Sequence, residues 1–374
     1  MKILITNTYL DGYSGTEVVV RDLALELQRQ GHTPLVYAPR LGPLAAELTS
    51  HGVEAVSDLE KLSTVPDVIH GHHHAQVVEA LLHFPTVPAL YVCHSDGADI
   101  DEPFYFPRIL RYVGVDNRCR ARLESTPGIP AERIKVVLNA VDLRRFQARD
   151  GLPTRPRRAL IFSNYASRST HLPAVRRACR LMGLKFDVLG ELAGTGVTNP
   201  ETVLPRYDLV FAKARCALEA MATGSAVVLC DFAGAGPMVT SENFDRLRGW
   251  NFGAGVLNNP LRPEYITPEI EQYDPEDAAR VQERVREQAG LQAAAQRWSS
   301  LYTEVVREFQ QSEPDREGEL RALEVYLRKW SYATGREPLM NLMKRIRRIP
   351  LIGNKLGDFA RKFGKRWSRG DRDH

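Results

Sequence analysis

Hydrophobic residues follow two alternating patterns along the first half of this chain. Short continuous apolar runs are typical of buried strands, and apolar residues at roughly every third or fourth position are typical of helices that cover a core. The patterns predict strands at 2–5, 34–37, 68–70, 89–93, 113–115 and 134–138, and helices at 17–30, 44–51, 75–83, 107–111 and 117–124. Because strands and helices alternate, we expect a parallel, doubly wound sheet.

The pattern is interrupted once and then resumes. Residues 143–158 contain Gly151, Pro153, Pro156 and several arginines, a composition typical of a linker. A second alternation predicts strands at 159–163, 186–190, 209–211 and 226–230, and helices at 171–182, 218–222, 275–287, 290–309 and 315–333. The predicted fold class is therefore α/β, with a Rossmann-like domain over 1–150, a second over 151–312 and a helical basic extension over 313–374. Such domains bind ligands at the carboxyl edges of their strands, so we expect the site in a cleft between them.

Composition narrows the class of protein. A chain of 374 residues suits two domains and an appendage, and no run of 18 apolar residues predicts a membrane-spanning helix. Polar residues 6–8 follow the first apolar run directly, which differs from the pattern of a signal peptide. The five cysteines show no CxxC spacing, which argues against a disulfide framework and a structural zinc site. A cytoplasmic location is expected.

The net charge of +4 conceals an asymmetry, because residues 341–374 contain eleven Lys or Arg and three Asp. Bulky apolar residues are interleaved with these charges, which favours an interfacial helix on an anionic membrane surface over 338–374. Packing of this tail against the body or a partner stays open, and nucleic-acid binding is the least favoured alternative.

A βαβ pattern over 209–231 carries the densest candidate chemistry. Lys213 and Arg215 follow its first strand, and Glu219 lies in its helix. Two cations beside a helix N-terminus suit a phosphorylated ligand, although solvated turn cations are the simpler alternative. Arg168, in the loop after the strand at 159–163, is a second candidate for neutralising a diphosphate. Its alternative is an exposed loop arginine.

The first predicted strand ends in a glycine-containing loop. Gly12 and Gly15 permit tight turns. Thr16 stands where the next helix begins, and the N-terminus of that helix offers unpaired amides to an anion or a sugar hydroxyl. The spacing differs from GxGxxG, so the loop does not indicate a dinucleotide. Ordinary turn chemistry explains it equally well.

Histidines follow two further predicted strands. The run at 70–74 includes His72, but no Asp, Glu or Cys adjoins it and successive side chains of a strand point in different directions. A polar strand end with one histidine facing the cleft is therefore favoured over a metal site. His94 precedes Ser95 and Asp96 and can donate to a sugar hydroxyl or a phosphate. A hydrolase triad is set aside because the chain has no GxSxG elbow.

Five motifs in order along the chain resemble those of the retaining GT-B glycosyltransferases of the family-4 type, also called glycosyl transferases group 1. They are Gly-Thr-Glu at 15–17 with L-A-x-x-L-x-x-x-G-H at 23–32, D-V-x-H-x-H at 67–72, V-x-H-S at 92–95, I-x-V-x-x-N-x-V-D at 134–142, and L-E-A-M-A-x-G at 218–224. The resemblance extends to about residue 309, where Trp298 and Tyr302 resemble the closing helix.

The resemblance implies sugar transfer from a nucleotide-sugar donor with retention at the anomeric carbon and without a metal or other cofactor. The expected catalytic residues are His94, which contacts the donor sugar, and Glu219, which accepts hydrogen bonds from ribose. The expected donor-binding residues are Gly15, Thr16, Asn139, Arg168, Lys213, Arg215 and Glu219. The expected acceptor or cleft residues are Gly12, His72 and Asp96.

Three departures from the family pattern qualify this expectation. The first carboxylate of the family's E-x7-E pair falls on Phe211, Ser163–Ser169 replaces the usual G-R-x4-K-G, and Asn139 is followed by alanine rather than glycine. Lys213 and Arg215 are expected to supply the missing positive charge. The predicted function is transfer of a sugar to a glycan or lipid-linked acceptor in the synthesis of a surface polysaccharide or glycolipid. A sugar-nucleotide epimerase or phosphorylase on the same fold, or a catalytically degenerate sugar-nucleotide-binding relative, stays open.

Overall fold

The computed structural model describes residues 1–333; the predicted membrane-surface segment 338–374 lies outside the described residues. The strands are β1 Lys2–Thr6, β2 Tyr9–Leu10, β3 Thr33–Tyr37, β4 Arg40–Leu41, β5 Glu54–Val56, β6 Val68–His72, β7 Ala89–Cys93, β8 Ile109–Gly114, β9 Ile134–Val136, β10 Arg158–Phe162, β11 Lys185–Leu189, β12 Leu209–Ala212, β13 Ala226–Asp231 and β14 Gly234–Met238. The helices are α1 Gly15–Arg29, α2 Pro43–Ser50, α3 His74–His83, α4 Asn117–Glu124, α5 Leu172–Leu181, α6 Ala214–Ala222, α7 Phe244–Gly249, α8 Pro263–Glu271, α9 Pro275–Gln288, α10 Leu291–Gln310 and α11 Arg316–Ala333.

Two main sheets organise these elements. The first has the order β5-β3-β1-β6-β7-β8-β9 with every pair parallel, and the second has the order β11-β10-β12-β13-β14 with only β14 antiparallel. Strands β6 and β7 are buried along their whole length, as expected of parallel strands with helices on both faces. The predicted α/β fold with two Rossmann-like halves is confirmed.

The pattern placed β7 and α4 at their observed bounds, but one predicted helix is wrong. Residues 107–111 were expected to be helical, whereas Ile109 begins strand β8. Arg108 is buried and donates to three backbone carbonyls, so it anchors the strand start and does not form the polar face of a helix. The pattern also missed β14, whose Gly234–Met238 has too few large apolar residues for a strand signal, and it missed α7 and α8.

The last two helices pack on the first domain. Trp298 and Tyr302 of α10, and Leu323 and Tyr326 of α11, are buried in the same core as the first sheet. The first domain therefore includes residues from both ends of the described chain, which the predicted boundaries at 150 and 312 did not anticipate. No helix within residues 1–333 combines the length and apolarity needed to cross a bilayer.

The chain passes between the domains twice, and the two passages are hydrogen-bonded to each other. The Val141 amide donates to the Ala289 carbonyl, and the Leu291 amide donates to the Val141 carbonyl, both at 2.9 Å. The two hydrogen bonds form an isolated parallel bridge between Val141 and Gly290. We call this pair of segments, 138–141 and 287–291, the hinge.

Candidate active site between the two domains

The cleft between the domains brings several predicted residues together. Parallel strands place the residue after each carboxyl end at one edge of the sheet, and His94 and Lys213 follow β7 and β12 in this way. A cavity of about 40 Å³ lies in the cleft. Its lining is Val19, Asp22, Leu23, His70, His72, Val92, His94, Val115, Val137, Leu138, Asn139, Ala140, Arg215, Leu291, Ala294 and Trp298. Four predicted site residues, His72, His94, Asn139 and Arg215, therefore share one space.

Two stacked histidines form the first-domain wall of this cavity. The Nε2 atom of His94 lies 2.8 Å from Nδ1 of His72, and the ring centroids are 4.6 Å apart. Burial and the nearby His73 lower the pKa of His94 to about 3, and burial with the neighbouring histidines lowers the pKa of His72 well below its ordinary value. Both rings are therefore neutral near pH 7 and can share a single hydrogen bond.

The remaining ring nitrogen of His72 is poised for a ligand. Its Nε2 atom is buried and has no hydrogen-bond partner among the described residues, while the ring lines the cavity. A buried polar atom without a partner is unfavourable, so a hydroxyl that enters the cavity would gain from meeting it. His70 lies deeper, with its Nδ1 2.7 Å from the Tyr302 hydroxyl of α10.

An ion-pair bridge crosses the cleft at the start of α6. Arg215 donates from Nε to Glu219 at 2.7 Å and from Nη2 to Asp22 of α1. All three side chains are buried or nearly so. Burial alone would raise the pKa of Asp22, but Arg215 and Arg21 hold it below its ordinary value. Burial raises the pKa of Glu219, against the opposing effect of Arg215. We call this set the Asp22–Arg215–Glu219 bridge.

Arg215 is thus held between two carboxylates and is not open to a diphosphate in this arrangement of the domains. The sequence analysis did not predict Asp22, the first-domain carboxylate that occupies Arg215. Arg145, next to the hinge, lies 3.7 Å from Asp22 and also pairs with Glu201. The bridge therefore belongs to a wider set of ion pairs that joins the two domains.

Lys213 lies beside exposed aromatic rings at the edge of the second sheet. Its Nζ is 3.1 Å from Asp231, 4.6 Å from the ring centroid of Phe232 and 5.5 Å from that of Tyr165. Both rings are about half exposed. His171 is fully buried nearby, and neither of its ring nitrogens has a partner among the described residues. Burial lowers the pKa of His171, against the opposing charge of Asp231.

The glycine-containing loop is closed around a carboxylate. The amides of Gly12 and Ser14 each donate to Glu17 at 2.8 Å, and Glu17 is buried. This is a capping arrangement that uses part of the loop's donor capacity internally. Gly15 is exposed with open space where a side chain would stand, and Thr16 is partly exposed.

Asp96 and Arg168 are two of the predicted residues that do not line the cleft cavity. Asp96 forms an ion pair with Arg118 of α4. Arg168 lines a separate groove of about 860 Å³ on the second domain, together with Arg176 and Arg180 of α5. Neither residue lines the cavity that contains His94 and Arg215.

The strand-to-helix connection explains the missing carboxylate. Phe211 is buried within β12, the strand continues to Ala212, and α6 begins at Ala214, so Lys213 alone separates them. Ala214 has a φ of +48°, which a residue with a side chain adopts only under local constraint. The connection is too short to carry a further side chain toward the cleft. Among the described residues, no group of three or more His, Cys, Asp or Glu side chains is arranged to hold a metal ion.

One family model matches most of the first domain. Residues 13–145 match the family model for Glycosyltransferase Family 4. That segment runs from the glycine-containing loop to the hinge and contains His72, His94 and Asn139. No curated protein matches the sequence.

Several solved structures have the same architecture, and this chain aligns with nearly the whole length of each. A glycosyltransferase from Rickettsia africae ESF-5 is 15% identical over 82% of this chain and 98% of its own, with a TM-score of 0.60. Anabaena Alr3699/HepE in complex with UDP and glucose is 13% identical over 81% of this chain and 100% of its own, with a TM-score of 0.60. The catalytic domain of Arabidopsis thaliana Starch Synthase IV, bound to ADP and acarbose, is 13% identical over 82% of this chain and 99% of its own, with a TM-score of 0.51. The chain therefore has the GT-B fold, and its residues 13–145 match the model of the glycosyltransferase family that the motifs resemble.

Proposed function

We propose that this chain is a retaining, metal-independent glycosyltransferase. It moves a sugar from a nucleotide-sugar donor to a glycan or lipid-linked acceptor, in the synthesis of a cell-surface polysaccharide or glycolipid. The observation that carries the proposal is the cleft in which the His72–His94 pair of one domain faces Arg215 of the other. The solved HepE complex with UDP and glucose supports a donor of this class.

In this proposal, different residues of the cleft bind the diphosphate leaving group and the sugars of the donor. As the bond to the sugar breaks, negative charge grows on the diphosphate, and a fixed cation stabilises it most when water is excluded. A diphosphate that displaced Asp22 would meet a guanidinium that Glu219 already orients. A carboxylate accepts several hydrogen bonds, so Glu219 can hold Arg215 and a ribose hydroxyl together.

The histidines act in this proposal as neutral groups. With a pKa lowered to about 3, His94 carries no charge near neutral pH and serves to position a sugar hydroxyl. Its place at the carboxyl end of β7 puts it on the first-domain side, and in this proposal the nucleotide lies on the second domain opposite. We place the protein in the cytoplasm, at the inner face of the membrane when its tail is bound there.

A donor screen tests the proposal first. Thermal unfolding is followed with UDP, GDP, ADP and TDP and their sugars, because a ligand that binds only the folded chain raises the melting temperature. Release of nucleoside diphosphate is then measured with and without candidate acceptors. A transferase releases it only with an acceptor, and an epimerase converts the nucleotide-sugar without net release. A phosphorylase instead needs inorganic phosphate and a glycoside, and a degenerate relative binds without turnover. The anomeric configuration of the product decides retention.

Glu219→Gln is the matching variant, and we expect turnover to fall at least about tenfold because Arg215 and ribose lose a charged acceptor. Glu283→Gln on α9 removes an exposed carboxylate and serves as its control. Equal turnover of the two variants would count against the assigned role of Glu219.

A further inference from the structure

A second cavity, of about 360 Å³, lies against the hinge. Its lining is Leu138, Ala140, Arg248, Glu287, Gln288, Ala289, Ala294 and Arg297. Three of these residues, Leu138, Ala140 and Ala294, also line the cavity that contains His94, so the two spaces adjoin. We call the larger space the hinge cavity. Its size falls within the range of small-molecule pockets, roughly 300–1,000 Å³.

Arg248 of α7 is a buried cation in this cavity without a compensating anion. Its side chain donates from Nη1 to Oδ1 of Asn251 at 3.0 Å and from Nη2 to the carbonyl of Asn139 at 2.6 Å. Both acceptors are neutral, and Arg248 forms no ion pair with a carboxylate of the described residues. Only 6% of the residue is exposed. A buried charge of this kind is unfavourable unless something neutralises it.

A second guanidinium adds to the positive charge. Arg297 of α10 lines the same cavity and is close enough that its charge, after burial, lowers the pKa of Arg248 to about 10. Arg297 is exposed and likewise has no ion pair within residues 1–333. The one carboxylate in the lining, Glu287, is exposed and does not pair with either arginine. Two guanidinium groups that line one cavity, neither of them paired with a carboxylate of the described residues, favour an anionic ligand there.

We propose that the hinge cavity is a binding site for the phosphate group of a small phosphorylated ligand, held between Arg248 and Arg297. A phosphate has the charge and the oxygen spacing for two guanidinium forks. The remaining volume extends toward the His94 cavity and accommodates the uncharged part of the ligand. Because Arg248 also holds the Asn139 carbonyl, the site couples the ligand to the hinge between the domains.

Inorganic phosphate is the probe that tests the site. It is titrated into the full chain at constant ionic strength, with chloride as the reference anion, and binding is followed by calorimetry and by thermal unfolding. We expect Arg297→Gln to weaken phosphate binding about tenfold or more, because a charge-assisted contact is lost. Arg297 is chosen because it is exposed, so we expect its replacement to leave the fold intact. Arg307→Gln, an exposed arginine of the same helix, should bind like the wild type.

The proposal is overturned if phosphate stabilises the wild type no more than chloride does, or if Arg297→Gln and Arg307→Gln bind phosphate equally. A further arm adds UDP to decide the source of the phosphate. Competition between UDP and phosphate assigns the site to a nucleotide diphosphate, and independent binding assigns it to a separate phosphorylated ligand; both support the site. The probe is not a sugar donor, so failure here leaves the proposed sugar transfer untouched.

Discussion

Two buried arginines of the second domain reach toward the first, and they differ in what surrounds their charge. Arg215 lies between Asp22 and Glu219, which raise its pKa against the opposing effect of burial. Arg248 has only neutral acceptors and a second arginine, and its pKa is lowered to about 10. The same side chain at similar depth thus forms a neutralised bridge in one place and leaves an unbalanced charge in the other. Arg215, whose charge is neutralised by carboxylates of the protein, joins the two domains. Arg248, which has no such carboxylate, is suited to binding an anionic ligand.

Removal of Arg215 should have the largest effect on this comparison. Arg215→Met leaves the buried carboxylates of Asp22 and Glu219 without their shared cation, so we expect a loss of about 3–5 kcal/mol in the free energy of unfolding, measured with denaturant. The double variant with Glu219→Gln should recover part of that loss, because Glu219 has no other ion-pair partner among the described residues, whereas Asp22 keeps Arg21. A loss of under about 1 kcal/mol would show that the bridge does not hold the domains.

A fall in pH should have an intermediate effect on the free energy of unfolding. The guanidinium groups of Arg215 and Arg248 do not titrate between pH 7 and 5, so the effect comes from other groups, chiefly the buried histidines. His94 has its pKa lowered to about 3 in the folded chain against 6.5 as the ordinary value, so the unfolded chain binds more protons below pH 6.5. Stability therefore falls as the pH falls, by roughly 2 kcal/mol at pH 5 for this residue. His70, His73 and His74 have lowered pKa values and act in the same direction.

Two buried carboxyl groups, those of Asp101 and Glu219, oppose this trend because burial raises their pKa values. Burial raises the pKa of Asp101 to about 7, so the folded chain holds its proton and gains stability as the pH falls from 7 toward 4. The buried histidines with lowered pKa values outnumber the carboxyl groups with raised ones, so the wild type should lose stability overall. His94→Gln should lose less between pH 7 and 5, and His51→Gln, at an exposed position, should follow the wild type. Identical pH profiles for all three chains would contradict the assignment.

Removal of Arg248 should have the smallest effect on stability. Arg248→Met loses two hydrogen bonds to neutral acceptors but also removes an unbalanced buried charge, so the net change without phosphate should lie within about 1 kcal/mol. Phosphate should raise the melting temperature of the wild type and leave that of the variant unchanged. A loss as large as that of Arg215→Met would mean that the two arginines are equivalent, and the comparison would fail.

Much of the fold could be predicted from local pattern. Strand β7 is a run of apolar residues and α4 begins with an Asp116 cap that accepts from the Cys119 amide, so both were visible in short windows. The meeting of His94, Asn139 and Arg215 followed from the rule that parallel strands end at one edge, together with the expected cleft between the edges of the two sheets.

The rest depended on distance along the chain. Asp22 is 193 residues from Arg215, and nothing in either neighbourhood specifies the other. The spacing of α10 shows that it has an apolar face but not which core receives it, so its return to the first domain was missed. One signal was present: Asp22 interrupts the apolar positions of α1, where a charge toward the core calls for a partner.

The return of α10 and α11 has a consequence for the order of folding during synthesis. The second domain occupies one continuous stretch between the two hinge segments, whereas the core of the first needs Tyr302 and Tyr326 from the far end. As the chain leaves the ribosome, the first sheet emerges before the helices that complete its cover. The second domain, although made later, is able to complete its core first, and the first domain closes only when the helices beyond it have been made.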